Sequence, residues 1–210
     1  MQKRDFVDIA DFYPWKPIKA SNYTITKVKL LQKDYDSFKT NSMLKLYIDK
    51  FEVGKAYVSL IQTDNVTMMS NHPSETETNR DFLEKANGDV LIFGLGLGLV
   101  IFPLLDDPSI TSLVIVEKDP ELIQIVGAIV KKHDIHNKVV LIESDAFTFH
   151  QSIHYRKYDT IYLDIWARIN NSLYEEAELL SERFKSYLKS EDSYISYWCK
   201  NETEIFSKFI

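Results

Sequence analysis

The chain has 210 residues, 45% hydrophobic and 27% charged, with 31 acidic against 25 basic side chains and a formal charge of −6. A chain of this length buries roughly 70% of its unfolded surface, so one well-packed domain, or one with a modest appendage, is expected, and the composition excludes a disordered or fibrous class. The lysines are spread along the chain, which favours a small-molecule partner over nucleic acid, and no apolar run reaches the ~18 residues that would span a bilayer.

In chain order, Met1-Gln-Lys-Arg-Asp-Phe6 lacks the apolar stretch of a secretory signal. The single cysteine, Cys199, cannot form an internal disulfide. A cytoplasmic, reducing location is therefore expected, with Cys199 a buried, inert thiol. Phe12-Tyr-Pro-Trp-Lys-Pro17 reads as an aromatic segment docked on its own domain. Leu44–Phe51, Lys55–Ile61 and Val66–Met69 are short, rich in β-branched and aromatic residues, and separated by turn signals, so they predict a small antiparallel β-meander. Asn71-His-Pro-Ser74 ends the last strand, and Thr76–Ala86 predicts a helix. The turn signal Ala86-Asn-Gly88 divides an N-terminal β-meander and helix lobe, residues 1–87, from a second unit, residues 88–210.

From there strands and helices alternate. Val90–Phe93, Leu113–Val116, Val139–Ile142 and Thr160–Leu163 are apolar throughout, as strands covered on both faces are. Pro120–His133, with proline in its first turn and cations in its last, predicts the clearest helix; Ser172–Lys189 predicts another, and Ser193–Trp198 a fifth strand. The implied fold class is α/β with a parallel sheet.

The first of these strands runs into Gly94-Leu-Gly-Leu-Gly98. Glycines here permit a sharp turn and close approach of backbone to a ligand, at the mouth of the sheet where the next helix presents free N–H groups. Position 99 is Leu, so the dinucleotide spacing G-x-G-x-x-G is not met, and the absence of Gly-Lys-Ser/Thr excludes a phosphate loop. The alternative is that the glycines only let a helix pack closely. Glu117 ends the second strand twenty-three residues after Gly94, the spacing at which an acid reaches a ribose. It also reads as a solvated strand-end carboxylate, but strand, glycines, helix, strand and acid in order favour a nucleoside-containing ligand.

Gly94–Gly98, Val116-Glu-Lys-Asp-Pro-Glu121, Glu143-Ser-Asp-Ala-Phe147 and Tyr158-Asp-Thr-Ile-Tyr-Leu-Asp-Ile-Trp166 together resemble the successive motifs of class I S-adenosylmethionine-dependent methyltransferases, in the spermidine-synthase-like branch. Small phage-associated and bacterial methyltransferase-like proteins with Asp-Ile-Trp after the fourth strand are similar too. The resemblance spans residues 44–199 and is strongest from 88 to 166. It implies a Rossmann-like sheet, shortened at the C-terminal end to five strands, with an N-terminal β-rich subdomain. It implies S-adenosyl-L-methionine as cofactor, with Gly94, Leu95, Gly96 and Gly98 around the methionine part and Glu117 on the ribose. Asp145 would meet the adenine amino group and the Ala146 or Phe147 N–H a ring nitrogen, while Lys118 and Asp119 flank the adenine. Asp164 is the implied catalytic residue, orienting or deprotonating the acceptor, and Trp166 would wall the substrate pocket. Asp145 reads equally as a helix N-cap, Asp164 as a strand-end carboxylate and Trp166 as packing.

Two departures qualify the resemblance. Aminopropyltransferases hold a diamine with Asp-x-x-Asp, whereas Asp164-Ile-Trp-Ala-Arg168 offers one acid and then a cation, which would repel a polyamine. Asp64 and Glu75 are the loosely matching acids that would face the substrate pocket, although turn and cap roles also fit them. A shortened sheet leaves an edge for the front meander, or a homodimer partner, to cover. The readings are thus a methyltransferase of unidentified acceptor, an aminopropyltransferase, or a binding module without turnover. His133/His136 and His150/His154 have helix-face spacing but lack a third ligand nearby, so no metal is expected.

Overall fold

The computed structural model describes residues 4–40, 44–150, 156–169 and 171–200, with side chains for all of these except 44–46 and 171. Two sheets organise them. The first is antiparallel and four-stranded, in the order β1 (Ile18–Lys19), β2 (Tyr23–Lys29), β3 (Ala56–Gln62), β4 (Thr67–Ser70). The expected meander is therefore present, but with different members. Tyr23–Lys29 pairs with β3 along its whole length, Ile25 opposite Leu60, and buries Tyr23 and Ile25 on one face. Leu44–Lys50, expected as the first strand, is instead a 3-10 helical segment kinked at Tyr47. Its aromatic content has another use: Phe51 and Tyr57 join Leu30 in a small core of their own, with Tyr35, Phe38 and Tyr47 packed against it.

The helix expected over Thr76–Ala86 starts earlier, at Pro73, whose fixed φ suits a first turn, and is broken at Asn79 into α2 (Pro73–Thr78) and α3 (Arg80–Lys85). Asn79 is fully buried; its amide donates to the Glu75 carbonyl at 2.9 Å and its oxygen accepts the Tyr162 hydroxyl at 2.8 Å.

The second sheet is parallel: β5 (Gly88–Phe93), β6 (Ile110–Glu117), β7 (Val139–Glu143), β8 (Thr160–Leu163) and β9 (Tyr194–Tyr197), in the order β7-β6-β5-β8-β9. Numbered from its own first strand this is 3-2-1-4-5, the doubly wound, Rossmann-like order, which reverses direction beside β5. Val90 pairs with Leu113 on one side and Thr160 on the other. Val90 through Phe93 are all completely buried, which is why these strands carry no polar face.

The connections differ in weight. After β5 the glycine segment continues as turns to Ile101, and the helix expected there is a single turn, α4 (Phe102–Leu105). The Pro120–His133 helix is present as α5 (Pro120–Leu122), a π-helical stretch (Ile123–Gly127) and α6 (Ala128–His133), capped by the Asp119 carboxylate on the Glu121 N–H. The chain continues through α7 (Ala146–Phe149) and α8 (Asn171–Lys185) to β9. Helices α8 and α3 pack on β9, where Tyr197 donates to Glu178 at 3.2 Å and Tyr194 to Asp81, and just past β9 the Trp198 indole donates to the Thr78 hydroxyl of α2.

Buried residues from both sheets form one apolar cluster, in which Ile9, Tyr13, Ile25, Val58 and Leu60 join the β5 and β6 side chains. Phe12 stacks on Phe102 at 4.3 Å, and the Tyr13 hydroxyl donates to the Leu97 carbonyl at 2.7 Å, so the aromatic segment docks on its own chain. The β1–β2 turn is held by the Glu121 carboxylate, which accepts the Ser21 and Asn22 N–H groups. No described helix is long and apolar enough to cross a membrane.

Candidate functional site

In an open α/β sheet, ligands gather at the carboxyl ends of the strands where strand order reverses. Here that place is the end of β5. Gly94 leaves the strand at φ +99°, Gly96 follows at +48° and Gly98 at +73°, a path that side chains with a β-carbon adopt only under strain. The Gly94 requirement is also steric. A β-carbon there would lie 2.0 Å from the Asp164 carbonyl oxygen, because the Asp164 N–H donates to the Phe93 carbonyl and holds the two chain segments together.

The cleft over these strand ends encloses about 850 Å³ including its open mouth. From the parallel sheet it is lined by Gly94, Gly96, Glu117, Asp145, Asp164 and Trp166. Of the site residues expected from the sequence, Gly94, Gly96, Glu117, Lys118, Asp145, Ala146, Asp164 and Trp166 line this cleft, whereas Leu95 and Gly98 do not. The β4 and β2–β3 strands supply the opposite wall through Met68, Met69, Tyr23 and Leu60, none of which the motifs single out. The readable signal for them is the alternation in Tyr23–Lys29 and Ala56–Gln62, which sets which side chains share a face.

Each acid has a distinct setting. Glu117 is buried; one oxygen accepts the Leu95 N–H at 2.9 Å and the other the Asp119 N–H at 2.9 Å, so the β6 end fixes the shape of the glycine turn. A carboxylate has further lone pairs for a ligand's hydroxyls. Asp145 caps α7, accepting the Phe147 N–H at 2.7 Å. That engages Phe147 and leaves the Ala146 N–H as the donor without a hydrogen-bond partner among the described residues. Asp119 caps α5 and also accepts the Tyr23 hydroxyl at 2.7 Å; burial first, then that bond, hold the Tyr23 phenol protonated. Lys118 is exposed beside Glu117.

Asp164 follows β8, and its carboxylate accepts no hydrogen bond among the described residues. Burial raises it to about 7, with the Glu117 charge adding. Glu75, on α2, does not line the cleft, but it is raised to about 8 by burial and then by the Asp164 charge, so the fold brings it electrostatically close to Asp164. Asp64 is different. It is exposed at the β3–β4 turn, where it accepts the Val66 N–H at 3.0 Å, and it does not line the cleft. The turn role wins because a short acid beside Asn65, whose φ is +64°, closes the hairpin locally. Arg168 is likewise exposed and does not itself line the cleft, although the adjacent Ala167 does. Trp166 walls the cleft, anchored by its indole N–H on Glu176 of α8 at 2.8 Å.

The weaker sequence signals separate. His133 packs on Phe12 at 4.6 Å while His136 lies 3.4 Å from Asp106; His154 lies outside the described residues. Cys199 is buried, at φ +55°.

No family model matches the chain, and no curated protein matches it. Solved structures do. Precorrin 8W decarboxylase from Methanobacterium thermoautotrophicum is 22% identical, covering 60% of this chain and 62% of that one, with a TM-score of 0.43. Spermidine synthase from Thermotoga maritima is 16% identical over 63% of this chain and 45% of that one, with a TM-score of 0.45. SMU.776, a candidate methyltransferase complexed with SAH, is 13% identical over 67% of this chain and 38% of that one, at 0.49. The chain spans less than two thirds of the length of each. Likenesses this distant transfer neither activity nor residue roles, which have to come from the site itself.

Proposed function

We propose that the chain is an S-adenosylmethionine-dependent transferase, and specifically a methyltransferase. One observation carries the reading. The glycine turn, Glu117, Asp145 with the free Ala146 N–H, and Asp164 stand in succession at the ends of β5, β6, β7 and β8 around one cleft. The donor set fits the group. Among the described lining residues, four carboxylates face one cation, Lys118, which suits a positively charged sulfonium. β-Carbons on Gly94 and Gly96 would meet the Asp164 carbonyl oxygen and the Met69 sulfur, so these glycines let the turn pack closely against the cleft walls. Glu117 would hold the ribose hydroxyls, Ala146 and Asp145 the base, and the turn the methionine part.

Bound there, S-adenosylmethionine supplies an electrophilic methyl carbon whose sulfur keeps the bonding electron pair when an acceptor's nucleophile takes the methyl. The chain's contribution is position and proton handling. Asp164, with its carboxyl near neutral, orients the acceptor and takes its proton, and Trp166, Met68 and Leu60 exclude water from one side.

The test is calorimetric titration with S-adenosylmethionine. Glu117→Ala is expected to weaken binding by about tenfold or more, since a lost charged hydrogen bond costs about 1.5–3 kcal/mol; unchanged affinity would sink the assignment. A second reading, aminopropyl transfer, gains from Glu75, which supplies beside Asp164 the second acid that the Asp164–Arg168 segment lacks. Product analysis separates the readings: decarboxylated donor plus putrescine for one, intact donor plus amine and hydroxyl acceptors for the other. Binding with no product in either would favour a module without turnover.

A further inference from the structure

The backbone donors of the glycine turn are not equally available. The Leu95 N–H is taken by Glu117 and the Gly98 N–H by the Leu95 carbonyl at 2.8 Å. The Gly96 N–H has no hydrogen-bond partner among the described residues. The Leu97 N–H meets a side chain from the other sheet, donating to the Met69 Sδ at 3.2 Å. The sulfur lies flush on the turn, since a β-carbon built on Gly96 would come within 2.5 Å of it. A thioether is a weak acceptor and Met a flexible side chain. Met69, which lines the cleft, thus occupies a donor of the turn without charge. The rest of the cleft offers an anion little, because Glu117, Asp119, Asp145 and Asp164 outnumber the exposed Lys118.

We propose that Met69 sets how tightly this cleft holds a carboxylate-bearing ligand tail, weakening its grip without excluding it. A ligand with a carboxylate must push the thioether off the Leu97 N–H before using that donor, whereas an adenosyl thioether without one binds past Met69 undisturbed. The proposal rests on the adenosyl reading above, and two probes keep the two apart. S-adenosylhomocysteine carries the amino-acid tail; 5′-methylthioadenosine has the same nucleoside and thioether without it.

Both are titrated into the wild-type chain and into Met69→Leu, a volume-conserving change that removes the acceptor. The expected result in Met69→Leu is an S-adenosylhomocysteine affinity that rises about two- to tenfold relative to that for methylthioadenosine, as for release of one hydrogen bond. Equal changes for both ligands, or none for either, overturn the role of Met69 while leaving the adenosyl reading intact. A wild-type chain that binds neither overturns both. A ligand-free readout guards against a poorly folded variant: amide exchange at Leu97 is expected to quicken in Met69→Leu relative to Leu95, and equal exchange at Leu97 in both proteins refutes the capping contact.

Discussion

Gly94→Ala tests whether the site is built around one backbone crossing. Two penalties are expected. The first is conformational: at φ +99° an alanine is strained by about 1–2 kcal/mol. The second is steric, since the new β-carbon would sit 2.0 Å from the Asp164 carbonyl oxygen, and a backbone atom cannot rotate away as a side chain can. Forced separation of β5 from the segment after β8 resembles overpacking, at about 1–3 kcal/mol. Gly54→Ala is the internal control. Gly54 has φ +93°, nearly the same strain, but its β-carbon would meet only Lys29 Cε at 3.8 Å, an ordinary contact. The entropy lost by the unfolded chain is common to both variants and cancels. Subtracting leaves the clash alone, about 1–3 kcal/mol, which for a chain of this size lowers the melting temperature by roughly 2–12 °C. Scanning calorimetry on the two variants measures it. If Gly94→Ala melts no lower than Gly54→Ala, the crossing is not a fixed element of the site.

Other expectations follow from the buried polar groups. Asn79→Ala strands the Tyr162 hydroxyl in the core and is expected to cost about 1–3 kcal/mol in urea unfolding, with Tyr162→Phe recovering part of it; additive losses would show that the pair is not coupled. Asp164 binds its proton more tightly folded than unfolded, so between about pH 4 and its folded value of about 7 the unfolded chain holds fewer protons and stability falls as pH rises. Asp164→Asn should flatten that slope, and an unchanged pH profile contradicts it. His72 has the opposite sign. Burial lowers it to about 4, among Phe38, Phe51 and Tyr57, so stability is lost as pH falls from about 6.5 toward 4. His72→Phe should blunt that acid loss; a variant as acid-sensitive as wild type argues against a neutral buried imidazole. Finally, single-turnover transfer should rise with pH through about 7 as Asp164 ionises, and the rise should vanish in Asp164→Asn.

The parallel half of the fold was legible because both faces of its strands are covered. Val90–Phe93 is apolar at every position and Thr160–Leu163 is buried at every position, a pattern that depends little on what packs against them. The antiparallel half was less so. Tyr23–Lys29 sets Thr24, Thr26 and an exposed Val28 opposite Tyr23 and Ile25 and ends in lysines, so its alternation is weak, whereas Leu44–Phe51 has strand-like composition but uses its aromatics to roof Leu30. Composition there reports that a side chain is buried, not in which element. Glu117 was found by order and spacing, and Asp145 and Asp164 through the resemblance. Glu75 was named only as a loosely matching pocket acid, its pairing with Asp164 unseen, and Met69 on the Leu97 N–H was not found, because each depends on how β4 and α2 dock across the glycine turn, a contact between segments about 28 residues or more apart. Asp64 shows the converse: an acid in a plausible place was claimed by its own hairpin.

The apolar cluster shared by the two sheets bears on how a ligand would enter and leave. Ile25, Val58 and Leu60 are buried together with β5, so the front sheet cannot swing aside as a hinged flap without exposing the interior that also stabilises the parallel sheet. Exchange through the mouth is then expected to be governed by rotamer changes of Met68, Met69 and Trp166, which are nanosecond events for accessible side chains. Fast association with residence set by affinity, rather than a slow opening step, is the kinetic signature this arrangement calls for in stopped-flow binding.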